Sequence, residues 1–237
     1  MSNDMSEFMA RSYATASRPL LGITVLVVED SRFASEAVRL LCLRSGARIR
    51  RADCLRSAHK HLATYRPSVV IVDMGLPDGS GADLIREMRG QSHAVPIVLG
   101  TSGDLDGEAL AMRAGADGFI AKPIESLAAF QNAVLAGLPQ EMRPKGLRAL
   151  PDEMVEPDPI ALRDDLNHVA EVLSDAPNED TLDYVAQFLG GVARAAHDLE
   201  LAAAALALSK RNQHSSAQEV QTLSGMVHQR LASGAVF

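Results

Sequence analysis

Val69-Val70-Ile71-Val72-Asp73, running into Met74-Gly75-Leu76-Pro77-Asp78-Gly79-Ser80-Gly81, is the stretch on which the fold turns. Four apolar, mostly β-branched residues in a row follow Pro67 and stop at a carboxylate. A strand that is apolar at every position, not at alternate ones, is covered on both faces, as in the middle of a parallel sheet. The turn formers that follow break the strand and lead into a helix expected over 82–88. The same alternation extends in both directions. Upstream, 23–28 is a β-branched run ending in Glu29-Asp30-Ser31, followed by helical periodicity over 34–43 with Gly46 as a stop. A weaker strand is expected over 47–51 and a helix over 55–65. Downstream, a strand over 95–99 ends in Gly100-Thr101-Ser102, then come a helix over 105–114, a strand over 118–121 ending in Lys122-Pro123, and a helix over 127–135.

Strands alternating with helices of this length predict an α/β fold: a doubly wound, five-stranded parallel sheet with right-handed crossovers. Open sheets of this kind bind ligands beyond the carboxyl ends of their strands. The residues at those ends are Glu29, Asp30, Asp73, Thr101 and Lys122. Three clustered carboxylates repel one another unless a cation lies among them, and all-oxygen donors favour a hard ion such as Mg²⁺. Lys122 can bring a second positive charge to a phosphoryl group and Thr101 a hydroxyl donor, while the carboxylate of Asp73, rigidly held, can attack phosphorus in line. Taken singly, each residue has a plainer reading. Asp30 or Ser31 could cap a helix, Gly75, Gly79 and Gly81 could be turn formers, Thr101 could be a cap, and Lys122 could lie in solvent.

Together these elements resemble the receiver domain of two-component response regulators, which has the flavodoxin-like fold. The resemblance spans 23–138. It rests on the pair Glu29-Asp30, Asp73 followed by Met-Gly-Leu-Pro-Asp-Gly, Pro96 before the fourth strand, Gly-Thr-Ser at its end, and Phe119-Ile-Ala-Lys122-Pro123. It implies that Asp73 accepts a phosphoryl group from a histidine kinase or phosphotransfer protein. Mg²⁺ would be held by Glu29, Asp30, Asp73 and the backbone carbonyl of Gly75. Thr101 and Phe119 would form a switch pair, although Phe119 could equally be an ordinary core aromatic, and Lys122 would pair with the phosphate. No enzymatic activity beyond self-catalysed acceptance and hydrolysis is implied. In that family the side chains two places after the acceptor and after the switch threonine orient or exclude water. Here both are glycine, Gly75 and Gly103, beside the small Ser102, so a phosphoryl lifetime of minutes is expected.

The remaining sequence is less specific. Hydrophobic residues make up 47% of the 237 and charged residues 22%, which suits a globular chain, and the net charge of −7 disfavours electrostatic binding to nucleic acid or anionic lipid. Two cysteines in no metal-binding spacing and no long apolar run suggest a reduced, cytoplasmic protein without a membrane segment. Arg44, Arg48, Arg50, Arg51 and Arg56 read as a solvated face, with a kinase- or nucleic-acid-docking patch as the alternative. The expected organisation is a disordered tail (1–20), the receiver (21–138), a linker with Pro139, Pro144, Pro151, Pro157 and Pro159 (139–159), and a small all-α bundle (160–237). Helices are expected over 162–173, 182–208 and 217–231. From Asp158 onward five basic residues face eleven carboxylates, a balance of −6, which speaks against a DNA-binding output. This region weakly resembles a degenerate histidine phosphotransfer domain. Val220-Gln221-Thr222-Leu223-Ser224-Gly225 keeps the Thr, Leu and Gly of that motif but has Gln221 in place of its histidine, and a second register would use His197. The expected output is protein–protein contact, including self-association through these helices. The alternatives are a transcription regulator with an unrecognised DNA-binding fold and a phosphorelay intermediate using His197.

Overall fold

In a computed structural model the chain is described over residues 14–90, 95–144, 150–175, 177–209 and 217–233. Five strands, β1 (Thr24–Val28), β2 (Arg48–Ala52), β3 (Val69–Asp73), β4 (Ile97–Ser102) and β5 (Gly118–Ala121), form one parallel sheet in the order β2-β1-β3-β4-β5. This is the flavodoxin-like order, with the change of winding direction between β1 and β3. Five helices connect or flank the strands: α1 (Arg32–Ser45), α2 (Leu55–Thr64), α3 (Gly81–Gly90), α4 (Gly107–Ala114) and α5 (Leu127–Gly137).

The period of two in each strand divides its side chains between two apolar layers. Val25, Val27, Val69, Ile71, Ile97 and Leu99 pack on one face with Leu41 of α1 and Phe130 and Val134 of α5. Leu26, Val28, Val70, Val72 and Val98 pack on the other with Ala58 of α2, Ile85 of α3 and Ala111 of α4. Burial therefore accounts for the unbroken apolar runs. The outer strand β2 instead leaves Arg48, Arg50 and Arg51 exposed, and their charges discourage pairing at that edge. Two boundaries differ from expectation. Leu20, assigned to the tail, is fully buried in the first layer, and Leu20 N–H donates to the Ser45 carbonyl at 2.9 Å; residues 1–13 of that tail lie outside the described residues. The stretch expected to be a linker is packed at its far end. Val155 is buried in the same layer, and Met154 forms an antiparallel bridge with Ser126 beside the start of α5.

Four helices follow: α6 (Pro159–Ser174), α7 (Glu179–Ala195), α8 (Leu199–Ser209) and α9 (Ala217–Ala232). The helix expected over 182–208 is two helices. His197 adopts a left-handed backbone (φ 58°), and the Asp198 carboxylate then starts α8 by accepting from Leu201 N–H at 3.0 Å and anchors Arg230 of α9 at 3.0 Å. An aspartate taking the N-terminal role of a new helix ends the old one without glycine or proline. Leu166, Val185, Leu189, Val192, Leu201, Ala205 and Val227 form a third apolar core, which Phe33 of α1 enters from the receiver side. No helix among the described residues is long and apolar enough to cross a membrane.

Candidate functional site

The carboxyl edge of the sheet gathers the residues singled out by sequence. Glu29 and Asp30 follow β1, Asp73 ends β3, Thr101 lies opposite it in register on β4, and Lys122 follows β5. The Lys122 ammonium bridges Glu29 Oε2 at 2.7 Å and Asp73 Oδ2 at 2.8 Å, with all three side chains buried. The Lys122–Pro123 peptide is cis. Carboxylate oxygens of Glu29, Asp30 and Asp73 lie within 4.8 Å of one another. Burial pushes Glu29 well above the ordinary carboxylate range, helped by the charge of Asp73 and opposed by Lys122. Burial and Asp73 also push Asp30 up, to about 6. For Lys122 burial favours the neutral amine, but the two carboxylates outweigh it and its pKa is raised. One lysine is too little positive charge for three carboxylates.

The plainer readings of these residues divide. Ser31, not Asp30, caps α1, its hydroxyl accepting from Ala34 N–H at 2.9 Å. Asp30 is thus free of capping. Its Oδ2 accepts from the Tyr184 hydroxyl at 2.7 Å. Thr101 is buried and its hydroxyl donates to the Ile120 carbonyl at 2.7 Å, so in this state it points along the β4–β5 edge. Phe119 is half-buried and packs against the second layer, as an ordinary core aromatic would. Gly75 forms a two-residue ladder with Ser80 after Asp73 and lines the acidic pocket. Gly81 sits where a Cβ would collide with the Asp73 carbonyl, so the α3 entry can approach β3 only as glycine.

The donor set fits a hard divalent cation. It consists of oxygens only, from three carboxylates that are close, poorly neutralised and, for Asp30, destabilised in the ionised form. Glu29, Asp30 and Asp73 are the residues that could hold it, with Gly75 lining the same pocket.

Reading the chain by pattern does not reveal that the helical region reaches this site. Tyr184, Gln187 and Arg194, on one side of α7, line the pocket with Asp73 and Lys122. Asp165 of α6 sits at the N-terminus of α1, accepting from the Ser31 hydroxyl (2.7 Å), Arg32 N–H (2.9 Å) and Phe33 N–H (3.0 Å). The available signal is indirect: glycines at 75 and 103 leave space beside the acceptor that some other part of the chain can fill. The likeness to a phosphotransfer domain is not supported. Gln221 is exposed on α9, and His197 lies in the α7–α8 turn, near Glu125 (3.0 Å), and not on a helix face.

An open parallel sheet with a carboxylate cluster and one buried lysine at its carboxyl edge defines an α/β domain with an acidic site. Residues 25–134 match the family model described as the response regulator receiver domain, and this part of the chain is such a domain. The chain is 35% identical over 99 residues to the KDP operon transcriptional regulatory protein KdpE of Escherichia coli, covering 42% of this chain and 44% of that one. It is 36% identical over 113 residues to the transcriptional regulatory protein KdpE of Mycobacterium tuberculosis, covering 46% and 50%. The matched part thus spans about half the length of these curated relatives. Among solved structures, the receiver domain of a sensor histidine kinase from Pseudomonas aeruginosa, which has a magnesium ion in its active-site cleft, is 22% identical with a TM-score of 0.44, covering 48% of this chain and 94% of that one.

Proposed function

We propose that the chain is a phosphorylation-dependent signalling protein in which Asp73 accepts a phosphoryl group from a histidine kinase or phosphotransfer protein. The observation that carries this is Lys122 buried between Glu29 and Asp73, with Asp30 alongside. An Asp73 oxygen forms the bond to phosphorus while the bond from phosphorus to the donor breaks, its electron pair leaving with the donor. Mg²⁺, held by Glu29, Asp30, Asp73 and the Gly75 carbonyl, would neutralise charge on the phosphoryl oxygens. Lys122 stays with the group as its second cation, exchanging a carboxylate partner for a phosphoryl oxygen. Thr101 turns its hydroxyl from Ile120 toward the new oxygens, and Phe119 follows into the space vacated. Hydrolysis returns the carboxylate when a water oxygen attacks phosphorus. The chain then acts no further as an enzyme.

In this reading 21–138 is the receiver, 139–159 connects it, and 160–237 delivers the output by protein contact in the cytoplasm, self-association included. The names of the two KdpE relatives favour a second reading, transcriptional regulation. Those matches cover only 42% and 46% of the chain, and the balance of −6 from Asp158 onward opposes contact with DNA phosphates. The primary reading is tested by incubating wild type and Asp73→Asn with acetyl phosphate and Mg²⁺ and measuring intact mass. One phosphoryl group on wild type and none on the variant is expected; equal labelling of both sinks it. A gel-shift series at graded salt tests the second.

A further inference from the structure

The helical region is packed against the face of the receiver through which Asp73 must be reached. Phe33 of α1 enters the core of the bundle, Asp165 holds the N-terminus of α1, and the Tyr184 hydroxyl donates to Asp30. Farther along α7, Gln187 Nε2 donates to Asp104 Oδ2 at 3.0 Å and Arg194 lies 3.6 Å from Asp104 Oδ1. These two side chains also fill the gaps beside the acceptor. A Cβ on Gly75 would lie 2.6 Å from Gln187 Nε2, and one on Gly103 would lie 2.5 Å from Arg194 Nη2. Below the helix, the pocket lined by Asp73 and Lys122 has a volume of only about 20 Å³, room for about one water. A phosphoryl group with the atoms of its donor is several times larger. A side cleft of about 950 Å³ reaches Glu29 and Asp30 but does not include Asp73 among its lining residues. A small cation can therefore reach the acidic pair while the acceptor stays covered.

We propose that α7 is a gate on Asp73, held shut by Tyr184, Gln187 and Arg194, and that a phosphodonor reaches the acceptor only when the helix lifts. This rests on the phosphoacceptor reading above. Acceptance is then limited by the open fraction, since a site available for part of the time reacts in proportion to that part. By the same linkage, occupancy of the site by a phosphoryl group favours the lifted helix, which frees the α7 face for a partner. The expected minutes-long lifetime, argued from open space at Gly75 and Gly103, belongs to the lifted state. In the shut state Gln187 and Arg194 occupy that space.

The full-length chain provides the test. In Gln187→Ala/Arg194→Ala both contacts to Asp104 are gone, while the buried residues of α7 that pack in the bundle are untouched. Asp104→Ala removes the same contacts from the receiver side. Both should take phosphate from acetyl phosphate and Mg²⁺ about tenfold faster than wild type, equivalent to about 1.4 kcal/mol of lost docking. Hydrogen exchange across 179–195 of wild type should rise when beryllofluoride and Mg²⁺ are added. Labelling rates within twofold of wild type for both variants, or α7 exchange unchanged by beryllofluoride, overturns the gate. If no protein takes a phosphoryl group, the phosphoacceptor reading fails and the gate falls with it. Labelling of Asp73 at a common rate in all three removes the gate alone.

Discussion

Replacing Asp165 by alanine removes the acceptor that joins the bundle to the first turn of α1. Its carboxylate takes three hydrogen bonds, from the Ser31 hydroxyl and the Arg32 and Phe33 N–H groups, at 2.7, 2.9 and 3.0 Å. The two N–H groups belong to a helix start, where no intrahelical acceptor exists. Leaving a buried donor without a partner costs about 1–3 kcal/mol. Asp165 also borders the open side cleft, so water can replace part of what is lost and the low end of that range applies. With three donors affected, Asp165→Ala should lower stability by about 2–3 kcal/mol. Charge is not what makes Asp165 valuable. Burial raises its pKa despite the hydrogen bonds, so the ionised form is carried at a cost. Asp165→Asn, which keeps one carbonyl oxygen with two lone pairs, should therefore lose only about 1 kcal/mol. Urea unfolding followed by far-ultraviolet circular dichroism measures both. If the helical region is fastened here, the alanine variant should also unfold in two steps, the bundle detaching from the receiver before the sheet melts. A stability for Asp165→Ala within about 0.5 kcal/mol of wild type, or equal damage from alanine and asparagine, would refute the reasoning.

Two further outcomes follow from the charges at the sheet edge. Lys122→Met leaves Glu29 and Asp73 buried without their shared cation, which should cost about 3 kcal/mol and make stability depend more steeply on Mg²⁺ than in wild type; thermal melts with and without the metal check this. The folded-state pKa of Asp30 lies near 6, above its ordinary value of 3.8, so the metal-free fold binds its proton more tightly than the unfolded chain does. Stability of the metal-free protein should fall as pH rises from about 4 to about 6 on this account. Mg²⁺ affinity should rise over the same range as the proton leaves; calorimetric titrations at pH 5.5 and 7.5 that gave equal affinities would count against Asp30 as a ligand.

The sheet was legible because burial on both faces leaves a continuous apolar run, and every strand-end residue expected at the site is found at the carboxyl edge. The place of Lys122 beside the carboxylates was legible from its strand end, but its burial between two of them was not. The bundle was legible as helices but not in its division. The break falls at His197, where the Asp198 carboxylate both starts α8 and holds Arg230, thirty-two residues away in the chain. Nor could the placement of α7 be read, because Tyr184, Gln187 and Arg194 reach Asp30 and Asp104 over long sequence separations, and an amphipathic pattern reports which side of a helix is apolar, not what its polar side meets.

The central claim is that the carboxylate of Asp73 bears the phosphoryl group, and its position can be read chemically. Borohydride reduction of the full chain after treatment with acetyl phosphate and Mg²⁺ converts an aspartyl phosphate to homoserine, which peptide mass spectrometry locates. Homoserine at position 73, dependent on Mg²⁺, is the predicted result. Homoserine at Asp30 or another carboxylate, or phosphate retained on a histidine such as His197 with position 73 unmodified, would contradict it.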